Sequence, residues 1–342
     1  MKNVLLFIFL FFAFHLAAQT KPFEINGTIK GMDSGYAEFY PGRGNTNVKI
    51  NEKKVPIRNG QFVFSGELSY ASMVILGFTD SLKTYYTFWF YIDEGNQLVK
   101  LDTAKQTFVG EEMDIDVISN SKSWIEYNEK FKPTVEKVKD QEGSNLLKYV
   151  KENPKSFVAL IESSSFIRRV YEPVFDSIFN NFDKSLKMTS VGIKISEKLS
   201  ALKSVEVGAK FPSIPLFDSS SNKIVLDKSL LSQYTLCDFW FNGCGYCIQQ
   251  MPELNEIYAK WHTKGLEIIG ITVDPKEKEQ AWKNVIAKQN VKWLQLWDIN
   301  SVEANKLSVN FFPTSFLLDK SGKIVAVNIK PSELEKFLEA KL

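Results

Sequence analysis

Cys244 and Cys247, separated by Gly245 and Tyr246, are the residues of this chain whose type and spacing can do chemistry. They come after an apolar run, Leu236 to Phe241, and a turn through Asn242 and Gly243. The pattern predicts a buried strand, a tight turn and a helix opening at Cys244. Two thiols three positions apart at the mouth of a helix can close a small disulfide. The positive end of the helix dipole favours the thiolate of the first thiol. The competing uses of such a pair are an inert disulfide, half of a zinc site and a haem attachment point. Zinc takes four ligands, and past residue 18 the chain offers three cysteines and His262. Ile248 comes directly after Cys247, so the Cys-x-x-Cys-His pattern of haem attachment is absent. A dithiol redox site is the reading that stands.

Two residues just upstream bear on that site. Asp238 lies inside the apolar strand, where an ionised carboxylate is costly unless it has a partner or a task. Desolvation is expected to raise its pKa and suit it to taking a proton from a buried thiol. The plainer alternative is an aspartate at a strand edge that reaches water. Cys237 points to the opposite side of the strand and is read as a small buried apolar residue, not a third redox thiol.

The elements that position these residues come from the rest of the chain. With 342 residues it is too long for one small domain. A formal net charge of +2 and the lack of any Lys/Arg block give no support to nucleic-acid binding. The three cysteines fall within eleven positions, so they are not a disulfide framework for a secreted scaffold. Lys2, the apolar run Val4 to Phe14 and the small residues before Gln19 have the form of a secretory signal peptide cut after Ala18. An uncleaved anchor would need about 20 apolar residues, and His15 and Gln19 cut the run short. No cysteine stands at the junction to take a lipid. Residues 1–18 are therefore expected to be removed, leaving an extracytoplasmic protein with no stable membrane insertion.

Residues 19–110 read as a small all-β domain, drawn as a sandwich. Phe23 to Ile29 alternates, and Gly31, Gly35, Gly42 and Gly44 punctuate the next stretch. Asn59-Gly60 sits between two β-prone runs as a hairpin signal. Tyr85, Tyr86 and Trp89 are assigned to core packing over a binding face. Residues 111–206 read as a helical connector, with Trp124, Tyr127 and Phe131 on one face. Leu147, Val150, Phe157 and Leu160 form a second stripe, and Phe175, Ile178, Phe179 and Phe182 a third. Pro173 suits a first helical turn. Arg168-Arg169 is read as a solvated face. From Val207 the pattern alternates strands and helices and ends in a hairpin, Ser315–Leu318 with Lys323–Asn328, and a last helix. That order gives a mixed sheet covered on both faces over residues 207–342.

Within that last segment the order of parts resembles thioredoxin: Asp238-Phe239-Trp240, Cys244-Gly245-Tyr246-Cys247, Pro252, and far downstream Phe312-Pro313-Thr314. The extended start at Val207, the inserted helix and strand from Lys276 to Trp297 and the signal-like N-terminus narrow the resemblance. They point to the secreted TlpA/ResA-like branch of thiol–disulfide oxidoreductases, in the thioredoxin and AhpC/TSA superfamily. The likeness covers under half of the chain. The β-rich start and helical middle are similar to segments of unassigned role that precede such domains, and they bring no function with them.

The resemblance implies an α/β thioredoxin-like C-terminal domain and a set of roles. Cys244, the more exposed thiol, is the nucleophile, Cys247 the resolving thiol, and Asp238 the base for Cys247. Pro313 would be a cis-proline, with Phe312 and Tyr246 as an apolar rim for substrate. The redox disulfide is Cys244–Cys247, no metal or bound cofactor is required, and Pro252 is a helix kink. The partners are protein disulfides as substrates and a membrane or periplasmic thiol as electron donor. Gly243 replaces the tryptophan that thioredoxin has before its first cysteine, and Gly245-Tyr246 replaces Gly-Pro. The direction of electron flow therefore stays open between reductant, which the Asp238 base favours, and isomerase or oxidase. A thiol peroxidase of the same fold would carry Thr where Phe241 stands. A binding or scaffold protein with a secondary dithiol is the alternative from another class.

Overall fold

The structure is a computed structural model of the 342-residue chain. It describes all residues except 1–19, 43–46, 81–82, 84, 103–106, 110–111, 115–116, 136–141 and 168–169. The signal-like segment, Gly44 and the Arg168-Arg169 pair lie outside the described residues. The chain divides into two compact units, residues 1–142 with 157–161, and residues 143–156 with 162–342.

The first unit is built on strands β1 (Lys21–Lys30), β2 (Ser34–Pro41), β3 (Val48–Ile50) and β4 (Lys54–Arg58). It continues through β5 (Gln61–Leu68), β6 (Ser72–Asp80), β7 (Tyr85–Ile92), β8 (Gly95–Asp102), β9 (Thr107–Val109), β10 (Glu112–Asp114) and β11 (Ile118–Ser119). In place of the two sheets of a sandwich, the strands form one nine-stranded sheet in the order β11-β8-β1-β5-β4-β2-β6-β7, with β3 on β5; β9 and β10 pair separately. The Asn59-Gly60 hairpin is one joint of that sheet, and the parallel β1–β8 pairing is another. Asn59 and Gly60 adopt positive φ, 50° and 68°, and the tight turn ties β4 to β5 through Arg58 and Gln61. The sheet then folds on itself, so that Phe23 of β1 stacks on Phe39 of β2 at 6.1 Å although β5 and β4 intervene in the ladder. Phe62 and Phe78 continue this aromatic core at 5.1 Å. Gly27, opposite Phe62, leaves the space the ring fills: a Cβ there would lie 2.0 Å from it. Trp89 packs edge-on against Trp124 and Tyr127, as core packing requires, but Tyr85 is 51% exposed.

Helices come next at α1 (Lys122–Glu126), α2 (Lys132–Val135), α3 (Glu142–Glu152), α4 (Phe157–Phe166), α5 (Pro173–Asn181), α6 (Lys184–Lys187) and α7 (Ser190–Ser204). Between α1 and α2 the chain widens into a π-helical turn, Tyr127–Phe131, and Trp124, Tyr127 and Phe131 still stack in succession. In α3 the deeply buried leucine is Leu146 and Leu147 is only half-buried. Pro173 stands in the first turn of α5, and Phe175, Ile178 and Phe182 are buried.

The second unit holds a seven-stranded mixed sheet. Its strands are β12 (Ile214–Phe217), β13 (Lys223–Leu226), β14 (Tyr234–Trp240), β15 (Leu266–Thr272), β16 (Leu294–Trp297), β17 (Thr314–Asp319) and β18 (Ile324–Val327). The order is β13-β12-β16-β15-β14-β17-β18. β14, β15 and β16 run parallel, and β17 lies antiparallel to β14. The helices are α8 (Gly245–Trp261), α9 (Glu279–Lys288), α10 (Val302–Lys306) and α11 (Pro331–Lys341). β14 is central, which explains why its sequence is apolar on both sides apart from Thr235 and Asp238: both of its faces are covered. Leu236 packs with Leu254, Ile257 and Trp261 of α8 and with Leu334 and Leu338 of α11. Cys237 and Phe239 pack on the other face with Ile269, Ile271 and, from α10, Ala304. This is a thioredoxin-like fold with helices on both faces of a mixed sheet. No helix among the described residues is long and apolar enough to cross a membrane.

Candidate dithiol site

The site forms where β14 ends. The N–H of Cys244 donates to the carbonyl of Phe241 at 3.0 Å, closing a turn through Asn242 and Gly243. Cys244 then serves as N-cap of α8, with its Sγ accepting from the N–H of Cys247 at 3.2 Å. The two cysteines are joined by a disulfide, their Cα atoms 5.3 Å apart. Three positions on a helix bring side chains onto one face, which lets the bond close without unwinding the first turn. The helix continues through Pro252. Cys244 is 5% exposed and Cys247 2%, so both are covered. Phe241, Phe312, Trp240 and Met251 pack around them.

Asp238 shares a face of β14 with Leu236 and Trp240, the face that packs on α8. Leu236 packs against Leu254, deeper along the helix, and Trp240 belongs to the cluster that contains Cys244 and Cys247. The carboxylate between them is 8% exposed and opens onto a cavity of about 60 Å³ lined by Gln250, Leu254, Pro313, Ser315, Asn328 and Lys330. Burial pushes its pKa up to about 7, against an ordinary carboxylate near 4. The edge-strand alternative therefore fails, because the strand is central. Cys237 points to the other face, buried and free. Its thiol is pushed up, first by burial and then by the Asp238 charge.

The third part comes from the loop before β17. The Phe312–Pro313 peptide bond is cis. Phe312 stands edge-on to Phe241 at 5.5 Å and packs against the cysteine cluster, while Pro313 lines the Asp238 cavity. The Thr314 hydroxyl donates to the Phe311 carbonyl at 2.7 Å and holds the loop. Tyr246 projects from between the cysteines and is 76% exposed. Thus the fold assembles Cys244, Cys247 and Phe312 in one cluster, and Asp238 and Pro313 around one cavity.

Sequence reasoning passes over Asn242, Thr272 and Asp274. Asp274 is buried just beyond β15, and its carboxylate accepts from the backbone N–H and side-chain amide of Asn242 and from the Thr272 hydroxyl. The available signal is an aspartate directly after the apolar strand Leu266–Val273, which on its own reads as nothing more than a strand stop before Pro275. No group of metal-ligating side chains occurs among the described residues.

A helix-capping dithiol, a desolvated acid on the strand behind it and a cis-proline loop beside it define a thioredoxin-fold thiol–disulfide oxidoreductase. Known proteins agree. Residues 207–327 match the AhpC/TSA family, and residues 23–127 match DUF4369, a domain of unknown function. The thiol-disulfide oxidoreductase ResA of a Bacillus cereus strain is 36% identical over 121 residues, covering 35% of this chain and 68% of that protein. The thioredoxin domain of a thiol-disulfide oxidoreductase from Bacteroides vulgatus is 30% identical, covering 39% of this chain and 96% of that one, with a TM-score of 0.36. A thiol:disulfide interchange protein from a Bacteroides species is also 30% identical, covering 40% and 91%, with a TM-score of 0.37. The chain belongs to the TlpA/ResA-like thiol–disulfide oxidoreductases.

Proposed function

We propose that this oxidoreductase is exported and works as a reductant of protein disulfides, with its chemistry in residues 207–342. The observation that carries the reading is the buried Asp238, poised near neutral pH on the strand face that packs against the dithiol helix. A reductant must deprotonate its second thiol to finish, and a buried carboxyl that titrates near neutral pH suits that step.

In the reduced enzyme the Cys244 thiolate, favoured by the helix N-terminus, attacks one sulfur of a substrate disulfide and expels the other as a thiolate. A mixed disulfide results. Asp238 takes the proton of the Cys247 thiol, directly or through water in its cavity. The Cys247 thiolate then attacks Cys244 Sγ, releases the second substrate thiolate and leaves the Cys244–Cys247 disulfide. Two electrons pass to the substrate, and a membrane or periplasmic dithiol donor must return them. The apolar rim of Phe312, Pro313 and Tyr246 offers an extended substrate segment a place to pair. Export is supported by the signal-like residues 1–18, which would leave a mature chain of periplasmic or otherwise extracytoplasmic location.

Insulin reduction with a dithiol donor tests the roles: Cys244→Ser is expected to abolish it, and Cys247→Ser to accumulate mixed disulfides. Full activity of Cys244→Ser would remove the proposal. The Cys244–Cys247 reduction potential tests the direction. A value near the roughly −270 mV of thioredoxin supports a reductant, and one near the roughly −120 mV of DsbA makes the protein an oxidant.

A further inference from the structure

The carboxylate of Asp274 is held by three donors, and two of them belong to one residue two positions before Cys244. The Asn242 backbone N–H reaches Oδ2 at 2.9 Å, the Asn242 side-chain amide donates to Oδ1, and the Thr272 hydroxyl donates to Oδ2 at 2.5 Å. Asn242 is the second residue of the turn that Cys244 closes on Phe241. Its neighbour Gly243 is exposed and has no side chain to restrain the turn.

Asp274 itself cannot move freely. Its carbonyl accepts from Trp297 Nε1 at 2.7 Å, and the Ser301 hydroxyl donates to the carbonyl of Val273 at 3.2 Å. The Val273 N–H donates to the Trp240 carbonyl at 3.0 Å, carrying the β14–β15 ladder one step further, and the Asn242–Asp274 grip comes directly after it.

We propose that Asp274 is a positioning residue for the exchange reaction. Acting through Asn242, it holds the turn in the one shape that presents Cys244 as N-cap of α8. The helix N-terminus favours a thiolate only within its first turn, so a turn released from Asp274 loses part of that stabilisation. A purely electrostatic role has the opposite signature. A carboxylate that acted by its charge alone would disfavour the Cys244 thiolate, and removing it would lower the Cys244 pKa.

The inference rests on Cys244 as the attacking thiol. The test is therefore the pH dependence of iodoacetamide alkylation in the reduced, full-length protein, with the modified cysteine assigned by mass spectrometry, alongside insulin-reduction kinetics. Cys244 reacting first in the parent supports the attacking-thiol reading; Cys247 reacting first would overturn that reading and this inference with it. In Asp274→Ala the Cys244 pKa is expected to rise and kcat to fall about tenfold with KM little changed, as misplacement of a reacting group requires. Asp274→Asn, which keeps an acceptor for the Asn242 N–H, should recover to within about threefold of the parent. Asn242→Ala, in a partly exposed turn, should lose about threefold, and Asp274→Ala with Asn242→Ala should be no slower than Asp274→Ala alone. A lowered or unchanged Cys244 pKa in Asp274→Ala, or losses that multiply in the double variant, overturns the inference. If Asp274→Ala does not fold, Asp274→Asn and Asn242→Ala form the same cycle.

Discussion

Asp238 and Asp274 are both buried and belong to neighbouring parallel strands or their ends, yet their surroundings differ in kind. Asp238 stands in the middle of β14, opposite Gly270 on one side and Ser315 on the other. There the backbone N–H groups are committed to the sheet, so burial acts unopposed and raises its pKa to about 7. Asp274 stands beyond the end of β15, where the chain of β14 has already turned away. Free donors exist at that edge, and three of them converge on it. The carboxylate at mid-strand is desolvated, and the one at the strand's end is held by donors. In the roles proposed above, the same residue type, a few ladder positions apart in register, serves first chemistry and then geometry.

The sharpest way to separate the two is to neutralise the first. Asp238→Asn is expected to slow turnover about 100-fold, the low end of what a positioned general base supplies, while leaving the first alkylation of Cys244 intact. Its effect on stability should have the opposite sign to the usual loss. An ordinary aspartate loses its proton near pH 3.9 when unfolded, whereas the folded protein keeps the Asp238 proton to about pH 7. Between those values the folded state binds more protons, so stability falls as pH rises, by about 4 kcal/mol in all. The variant removes that slope. Urea midpoints compared from pH 5 to pH 8 should show the parent losing ground to Asp238→Asn, and curves that stay parallel would mean the acid is not desolvated.

Asp274 should answer in the other direction. Asp274→Ala leaves the Asn242 amide groups and the Thr272 hydroxyl without their acceptor, at a cost of about 2–3 kcal/mol in urea unfolding at pH 7. A loss under about 0.5 kcal/mol, the size of an ordinary surface substitution, would place Asp274 with the bystanders and erase the contrast.

The difference between the aspartates also marks how much of the site is legible in the sequence. Asp238 is conspicuous because a charge in Leu236–Phe241 breaks an apolar run, and a local anomaly needs no fold to be seen. Asp274 is not, because its partner Asn242 lies 32 residues away and only the parallel pairing of β14 with β15 brings them together. The covering of Cys244 depends likewise on Phe312, which reaches the cysteines from a distant loop. The alternation of the second unit's strands and helices, the Asn59-Gly60 turn and the Trp124–Phe131 stack are readable because each is set by neighbours in sequence. The single curled sheet of the first unit is not. It requires β1 to run parallel to β8, and no turn signal encodes a pairing between strands so far apart.

Cys237 gives the comparison its smallest and most exacting case. It is the immediate neighbour of Asp238, and alternation along the strand sends it to the opposite face, among Phe239, Ile269, Ile271 and Phe316. Burial pushes its thiol up, and the Asp238 charge adds to that, so it stays protonated through the neutral range. A protonated thiol sealed in an apolar cluster is neither nucleophile nor leaving group. Cys237→Ala should therefore leave insulin reduction and the Cys244–Cys247 reduction potential within about twofold and about 10 mV of the parent, and cost about 1 kcal/mol of stability for the small void it leaves. A slower enzyme, or mixed disulfides captured on Cys237 in the Cys247→Ser protein, would show that the strand does not insulate its two faces. If the variant behaves as expected, one position along β14 separates a group that titrates near pH 7 from one that does not titrate in that range at all, and the sheet itself is what keeps them apart.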